Sequence, residues 1–312
     1  MSSPDQARLN VAGVSPVLEV PFLPDERLDV DGFGRVVDHV LGTGVTSVMF
    51  PGFASEVHKL SDLERTELCD ALLDRTRPRP NVSAIVSIPD HSTHLAIQRA
   101  VDVVEAGADV LNILPPHQLN PGPAQVRQHL AEVLTAVAPT PVILQYAPAQ
   151  TGTTLDAYTI NALAEEHSNL AFVKVESSPP GRLVQALAAL PASLPCLVGY
   201  AGLQLPDALR RGAIGVQPGC SFTELYVDLW ARWASGDHAG ALALHSRLLP
   251  YLSYWMQGVE LIVSAEKLIS YRRGLTDTSV TRSPRYVLDS EEIAMVEAFL
   301  TDFADLLSPV PA

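Results

Sequence analysis

Leu170-Ala171-Phe172-Val173-Lys174-Val175-Glu176 is a short apolar run with one lysine inside it, and its reading decides the fold. Its length and β-branched content mark a buried strand. Side chains alternate along a strand. Phe172, Lys174 and Glu176 therefore share one side, while Ala171, Val173 and Val175 take the other, wholly apolar side. The apolar side suits packing against helices, which turns Lys174 toward the interior that the sheet encloses. The chain has three lysines, Lys59, Lys174 and Lys267, and otherwise uses arginine. Burial disfavours an ammonium. A lysine so placed is suited to attack a carbonyl and form a Schiff base. The plainer reading pairs it with a carboxylate such as Glu176.

Similar runs flank it on both sides. They are VSPVLEVPF (14–22), TSVMFPG (46–52), NVSAIVSI (81–88), ADVLNILPP (108–116), PVILQYAP (141–148), PCLVGYAG (195–202) and AIGVQPGCS (213–221). Amphipathic stretches lie between them, such as SDLERTELCDALLDRTR (61–77) and STHLAIQRAVDVVEAG (92–107). Several open on a serine, threonine, aspartate or proline and close on glycine, as helices do. Eight strand–helix units of this size predict an α/β fold, the (β/α)8 TIM barrel. The barrel core is expected over residues 1–223. Residues 224–312 are expected to form the last barrel helix and a C-terminal helical extension packed on the barrel, with Trp230, Trp233 and Trp255 among its packing residues.

Composition narrows the function. The chain has 312 residues, a net charge of -14 and 47% hydrophobic content. That charge argues against nucleic acid and anionic membrane surfaces as partners. Cys69, Cys196 and Cys220 are far apart and suit a reducing compartment. The start MSSPDQARLN lacks the basic and apolar regions of a signal peptide, and no apolar run reaches membrane-spanning length. A cytoplasmic location is expected. No cluster has metal-ligand spacing and no glycine-rich phosphate loop follows a strand, so neither metal nor nucleotide cofactor is expected.

Active sites of such barrels lie at the C-terminal ends of the strands. That rule selects Gly52-Phe53-Ala54-Ser55-Glu56 after strand two and His117 after strand four. It selects Gln145, Tyr146 and Gln150 around strand five, then Lys174 and Glu176 on strand six. Gly199 and Tyr200 follow strand seven, and Gln217 ends strand eight.

With these blocks in place the chain resembles the dihydrodipicolinate synthase and N-acetylneuraminate lyase superfamily. The resemblance runs through GFASEVHKLSDLER (52–65), GADVLNILPP (107–116), YAPAQTG (146–152), FVKVES (172–177) and GAIGVQPG (212–219). It implies that Lys174 is the Schiff-base lysine and that the only covalent partner is the substrate itself. It also implies a homo-oligomer, a tetramer or a dimer.

The departures from the family pattern are informative. The usual G-[TS]-[TS]-G-E motif, which holds the substrate carboxylate, reads Gly52-Phe53-Ala54-Ser55-Glu56. Backbone amides can still serve as donors. Ser55 either supplies a replacement hydroxyl or only shapes the turn. Glu56 is expected to brace that turn. Counting back from Thr151-Gly152 puts Gln145 at the family's tyrosine position and Tyr146 one residue late. A one-residue shift flips a side chain to the other face. Tyr146 inherits proton relay only if a bulge restores it. Otherwise Gln145 is the pocket residue, able to orient but not to titrate. The second relay tyrosine is absent from Pro115-Pro116-His117-Gln118, where His117 is either an acid–base group or an exposed loop histidine. Gln150 replaces the arginine that would clamp a second carboxylate, which argues against lysine biosynthesis.

Three functions stay open. The first is a Schiff-base lyase or aldolase that joins or parts pyruvate, or another 2-oxo acid, and an aldehyde. The second is a 2-keto-3-deoxy-acid dehydratase using the same lysine. The third is a non-catalytic barrel binding protein that has lost the relay.

Overall fold

Every one of the eight apolar runs supplies a strand. They are β1 (Gly13–Val14), β2 (Ser47–Phe50), β3 (Ser83–Ile88), β4 (Val110–Ile113), β5 (Val142–Tyr146), β6 (Leu170–Val175), β7 (Cys196–Val198) and β8 (Gly215–Val216). The structure, a computed structural model, describes residues 4–308. The strands are parallel, in the order β1-β8-β7-β6-β5-β4-β3-β2. Pro16–Leu18 carries β1 onward and closes the ring. Val17 bridges both Met49 and Gly219, and the Leu18 amide donates to the Met49 carbonyl at 2.9 Å. The closure is tight at Gly215, where a Cβ would lie 2.1 Å from the Gly13 carbonyl oxygen, so only glycine fits.

Alternation along the strands separates two cores. Val17, Met49, Ile85, Val110, Ile143, Phe172 and Leu197 fill the barrel interior. Val48, Phe50, Leu111, Leu144, Val173 and Val198 face the surrounding helices. One residue breaks the expected alternation. Ala171 joins the interior group, because Val142 pairs with Leu170 while Ile143 pairs with Phe172, leaving an extra residue in β6. The bulge re-aims the strand, and beyond it Lys174 keeps its inward direction.

Helix start signals in the sequence act as read. Ser61 accepts from the Glu64 amide in a reciprocal capping box, and Ser92 caps the helix Thr93–Ala106. After the last barrel helix, Thr223–Ala234, three more follow: His238–Trp255, Val259–Arg272 and Ser290–Asp302. Trp255 packs with Phe222, Tyr251 and Phe299 in their shared core. The other two tryptophans lie apart from it. Trp230 backs the Gly13 strand, and Trp233 stacks on His238 at 4.2 Å. The helix Val259–Arg272 is buried continuously from Val263 to Ser270, as a helix pressed over the barrel must be. Among the described residues no helix is long and apolar enough to cross a membrane.

Candidate active site

Lys174 lies on β6 and is only 4% exposed. Its ammonium stands 3.5 Å from Glu176 Oε1. Both project inward, two residues apart along the chain. The register sets Gln145 beside Lys174, and Gln145 Nε2 donates to Glu176 Oε2 at 2.8 Å. Gln145 Oε1 accepts from Asn112 Nδ2 at 2.8 Å, and the same amide group donates to Ser87 Oγ at 2.9 Å. One chain of hydrogen bonds therefore crosses from β3 to Glu176. It fixes the Gln145 amide in one orientation and aims the carboxylate at the lysine. Gly199 leaves room for that carboxylate, since a Cβ there would meet Glu176 Oε1 at 2.1 Å.

Above Lys174 is a cavity of about 80 Å³. That is room for on the order of six water-sized groups. Phe53, Ala54, Gln217 and Tyr200 line it from the strand ends, and Met256, Val259, Ile262, Val263 and Glu266 from the C-terminal extension. Among the described residues Lys174 is the single cationic side chain in this lining.

Residues 10–303 of this (β/α)8 barrel match a family model described as the dihydrodipicolinate synthetase family. The chain belongs to that family. Membership makes it an enzyme of the lyase type. A 4-hydroxy-tetrahydrodipicolinate synthase from Acidothermus cellulolyticus is 31% identical over 294 residues, covering 91% of this chain and 92% of that one. An L-2-keto-3-deoxyarabonate dehydratase from Azospirillum brasilense is 27% identical over 247 residues, covering 78% and 80%. A prophage protein of Escherichia coli K12 from the dihydrodipicolinic acid synthase family, crystallised with pyruvate, superposes with a TM-score of 0.85 at 23% identity. That match covers 94% of this chain and 99% of the other, and it shows the shared fold.

This dihydrodipicolinate synthetase family member brings only part of the expected set to Lys174. Phe53, Ala54, Gln150, Glu176, Tyr200 and Gln217 line the cavity, Gln145 supports it from below, and Gly199 shapes it. Three expected catalytic groups are elsewhere. Tyr146 packs in the outer core with Leu144 and Val173, because the bulge lies at the start of β6 and leaves Gln145, not Tyr146, paired with Lys174. Burial pushes its phenol upward. Ser55 is fully buried and its hydroxyl serves the turn, donating to the Leu18 carbonyl and accepting from the Gly52 amide at 3.0 Å. That amide is thereby engaged as well. His117 sits edge-on to His91 with ring centroids 4.4 Å apart, and its amide donates to His91 Nδ1 at 3.2 Å. It belongs to the loops after β3 and β4, outside the cavity lining.

Glu56 braces the strand-two turn as expected, but its partners come from the extension. It is fully buried in a left-handed conformation, with φ of 51°. Its carboxylate binds Lys267 Nζ, Lys59 Nζ at 3.1 Å and the Arg282 amide at 3.1 Å. Two of the three lysines are thus structural.

Two acidic residues of this family member escaped the sequence reading. Glu266 reaches the cavity from the helix Val259–Arg272 and accepts from Ser221 Oγ at 3.2 Å. Glu19 follows the closing segment Pro16–Leu18, and neither of its buried oxygens has a hydrogen-bond partner in the structure. Burial is the leading cause of both shifts, raising Glu19 to about 7 and Glu266 to about 8, with the nearness of Glu19 adding to the latter. Glu266 lies in LIVSAEKLIS (261–270), where an acid stands in a mostly apolar or small-residue stretch. That was the available signal. A rule confined to strand ends could not use it.

Proposed function

We propose that the protein is a Schiff-base lyase or aldolase acting on pyruvate or another 2-oxo acid, with Lys174 as the nucleophile. The observation that carries this is a single lysine, 4% exposed, at the end of β6 in a cavity sized for a three-carbon acid. Glu176, at 3.5 Å, receives the ammonium proton. The neutral amine attacks the keto carbon, water leaves, and an iminium forms. When the carbon–carbon bond beta to the iminium breaks, the hydroxyl beyond it gives its proton to a base in the cavity and becomes the carbonyl of the released aldehyde, while the electrons of the broken bond flow into the iminium and leave an enamine on the lysine. The reverse sequence makes the bond. The substrate carboxylate lies against the amides of Phe53 and Ala54, which open a 3₁₀ turn where backbone donors lack helical partners.

The second substrate carries no carboxylate that needs a cation. Gln150 Oε1 is held by the Tyr200 hydroxyl at 2.7 Å, and no arginine reaches the cavity among the described residues. This separates the protein from the reaction of the Acidothermus relative. The similarity to the arabonate dehydratase supports a second reading, loss of a hydroxyl from a 2-keto-3-deoxy acid through the same iminium.

Borohydride trapping with pyruvate tests the shared step. An intact-mass adduct mapped to Lys174, absent in Lys174→Ala, is the expected result. Assays with aldehydes and with 2-keto-3-deoxy acids then separate the lyase from the dehydratase. No adduct with any 2-oxo acid would sink both and leave Lys174 as the structural partner of Glu176.

A further inference from the structure

The Schiff-base reaction has to move protons, and the cavity offers few groups to do it. Gln145 and Gln217 do not titrate. Glu176 is committed to Lys174. The Tyr200 hydroxyl donates to Gln150, and burial raises its phenol further. Glu266 remains. It lines the same cavity as Lys174 and forms no ion pair among the described residues.

Its setting is built around it. Ser221 Oγ donates to Oε2 at 3.2 Å. The backbone at Gly219 runs so close that a Cβ there would lie 1.9 Å from Oε2. Around it stand Glu19, Cys220 and the Tyr226 phenol, and across the cavity Lys174 and Glu176. The nearest free-standing cations are already occupied. Lys267 binds Glu56, and Arg273 binds Glu224. Lys267 and Arg273 still draw on Glu19, but burial outweighs them, and the two carboxyls keep a proton between them.

We propose that Glu266 is the acid and base of the Lys174 reaction. The inference rests on the Schiff-base reading above. Protonated Glu266 gives its proton to the carbinolamine hydroxyl. The carbon–oxygen bond breaks, water departs and the iminium forms, leaving Glu266 as a carboxylate. The carboxylate then takes a proton from the carbon next to the iminium. That C–H pair moves into the new carbon–carbon double bond of the enamine, the iminium π electrons return to nitrogen, and Glu266 is protonated again. The cycle needs no further reactant. The C-terminal helix thus supplies the proton relay that β4 and β5 lack.

The test follows the methyl protons of pyruvate in D2O by NMR, beside borohydride trapping. The wild-type protein is expected to exchange them. Glu266→Gln is expected to reach the Lys174 adduct slowly, on prolonged incubation, while exchange falls about 100-fold or more. Glu266→Asp is expected to fall between the two. In the wild type, kcat/KM for exchange should decline above pH about 8, where the free enzyme loses the Glu266 proton, and this limb should vanish in Glu266→Gln. A Glu266→Gln protein that forms the adduct and exchanges within about threefold of wild type overturns the assignment. So does the complete absence of adduct in both variants after prolonged incubation with unchanged melting, which would make Glu266 a binding residue. Absence of an adduct in the wild type removes the Schiff-base reading itself, and this inference with it.

Discussion

Gln145 shows how much one side chain can organise. It stands between Asn112 and Glu176, accepting from one and donating to the other, each at 2.8 Å. Gln145→Leu keeps the volume but deletes both bonds. Glu176 then loses a donor inside a buried site, and its aim at Lys174 slackens. Buried polar groups left unpaired cost about 1–3 kcal/mol. Trapping of pyruvate should slow by roughly tenfold to a hundredfold at unchanged protein concentration, since each 1.4 kcal/mol is a factor of ten. An unchanged trapping rate would show that Glu176 holds its position without the amide. At this scale the sequence was informative wherever strand alternation decides direction. Counting turned Lys174 inward and left Gln145 as the alternative to Tyr146, and the register of β5 on β6 favours Gln145. Counting did not place Ser55 and His117, because the partners of a loop hydroxyl or imidazole come from other segments, here Leu18 and His91. No local pattern records those contacts.

The helix Val259–Arg272 acts as an element in two directions. Its Glu266 faces the cavity, while Lys267 and Arg273 fasten it to the barrel. Arg273 pairs with Glu224 on the last barrel helix, with His39 3.0 Å from the same carboxylate. Both ionic side chains are almost wholly buried, at 5% and 8% exposure. Removing one partner of such a pair strands the other. Arg273→Met is expected to lower stability by about 3–5 kcal/mol in urea unfolding. The hydrogen bonds from His39 and Arg273 hold Glu224 at about 2, against the cost of its burial, from an ordinary 4.5. A depressed carboxylate stabilises the fold above its unfolded value and loses that contribution as pH falls. Acid unfolding of the wild type should therefore draw on Glu224 between 4.5 and about 2, and Arg273→Met should shift its midpoint upward. An unmoved midpoint would assign the acid limb to other carboxylates. The presence of extra helices was legible from chain length and periodicity. Their docking over the barrel mouth was not, because the pairs that fix it join separate segments, Glu56 and Lys267 at 211 positions apart and Glu224 and Arg273 at 49.

For the whole molecule, buried carboxyls invert the usual effect of pH. Desolvation raises Glu19 to about 7 and Glu266 to about 8, from 4.5. Between 4.5 and about 8 the folded protein holds protons that the unfolded chain has released. Stability falls with rising pH wherever the folded state binds more protons. The melting temperature should thus decline across that window, and Glu266→Gln should flatten the decline by removing one titration. A flat wild-type profile would mean that the pull of Lys267 and Arg273 on Glu19 outweighs its burial. The barrel itself was readable because eight strand–helix units repeat one pattern, whereas the acidic pair joins two distant segments and repeats nothing.

Synthesis of this chain separates the nucleophile from its enclosure. Lys174 emerges from the ribosome 98 residues before Arg272 ends the helix that roofs it. At common elongation rates of about 5–20 residues per second, the gap lasts roughly 5–20 s. Throughout that interval the amine stands in an open mouth flooded by water, without Glu266 beside it. The pocket around Lys174 is complete only once the helix Val259–Arg272 has been made and laid over the barrel.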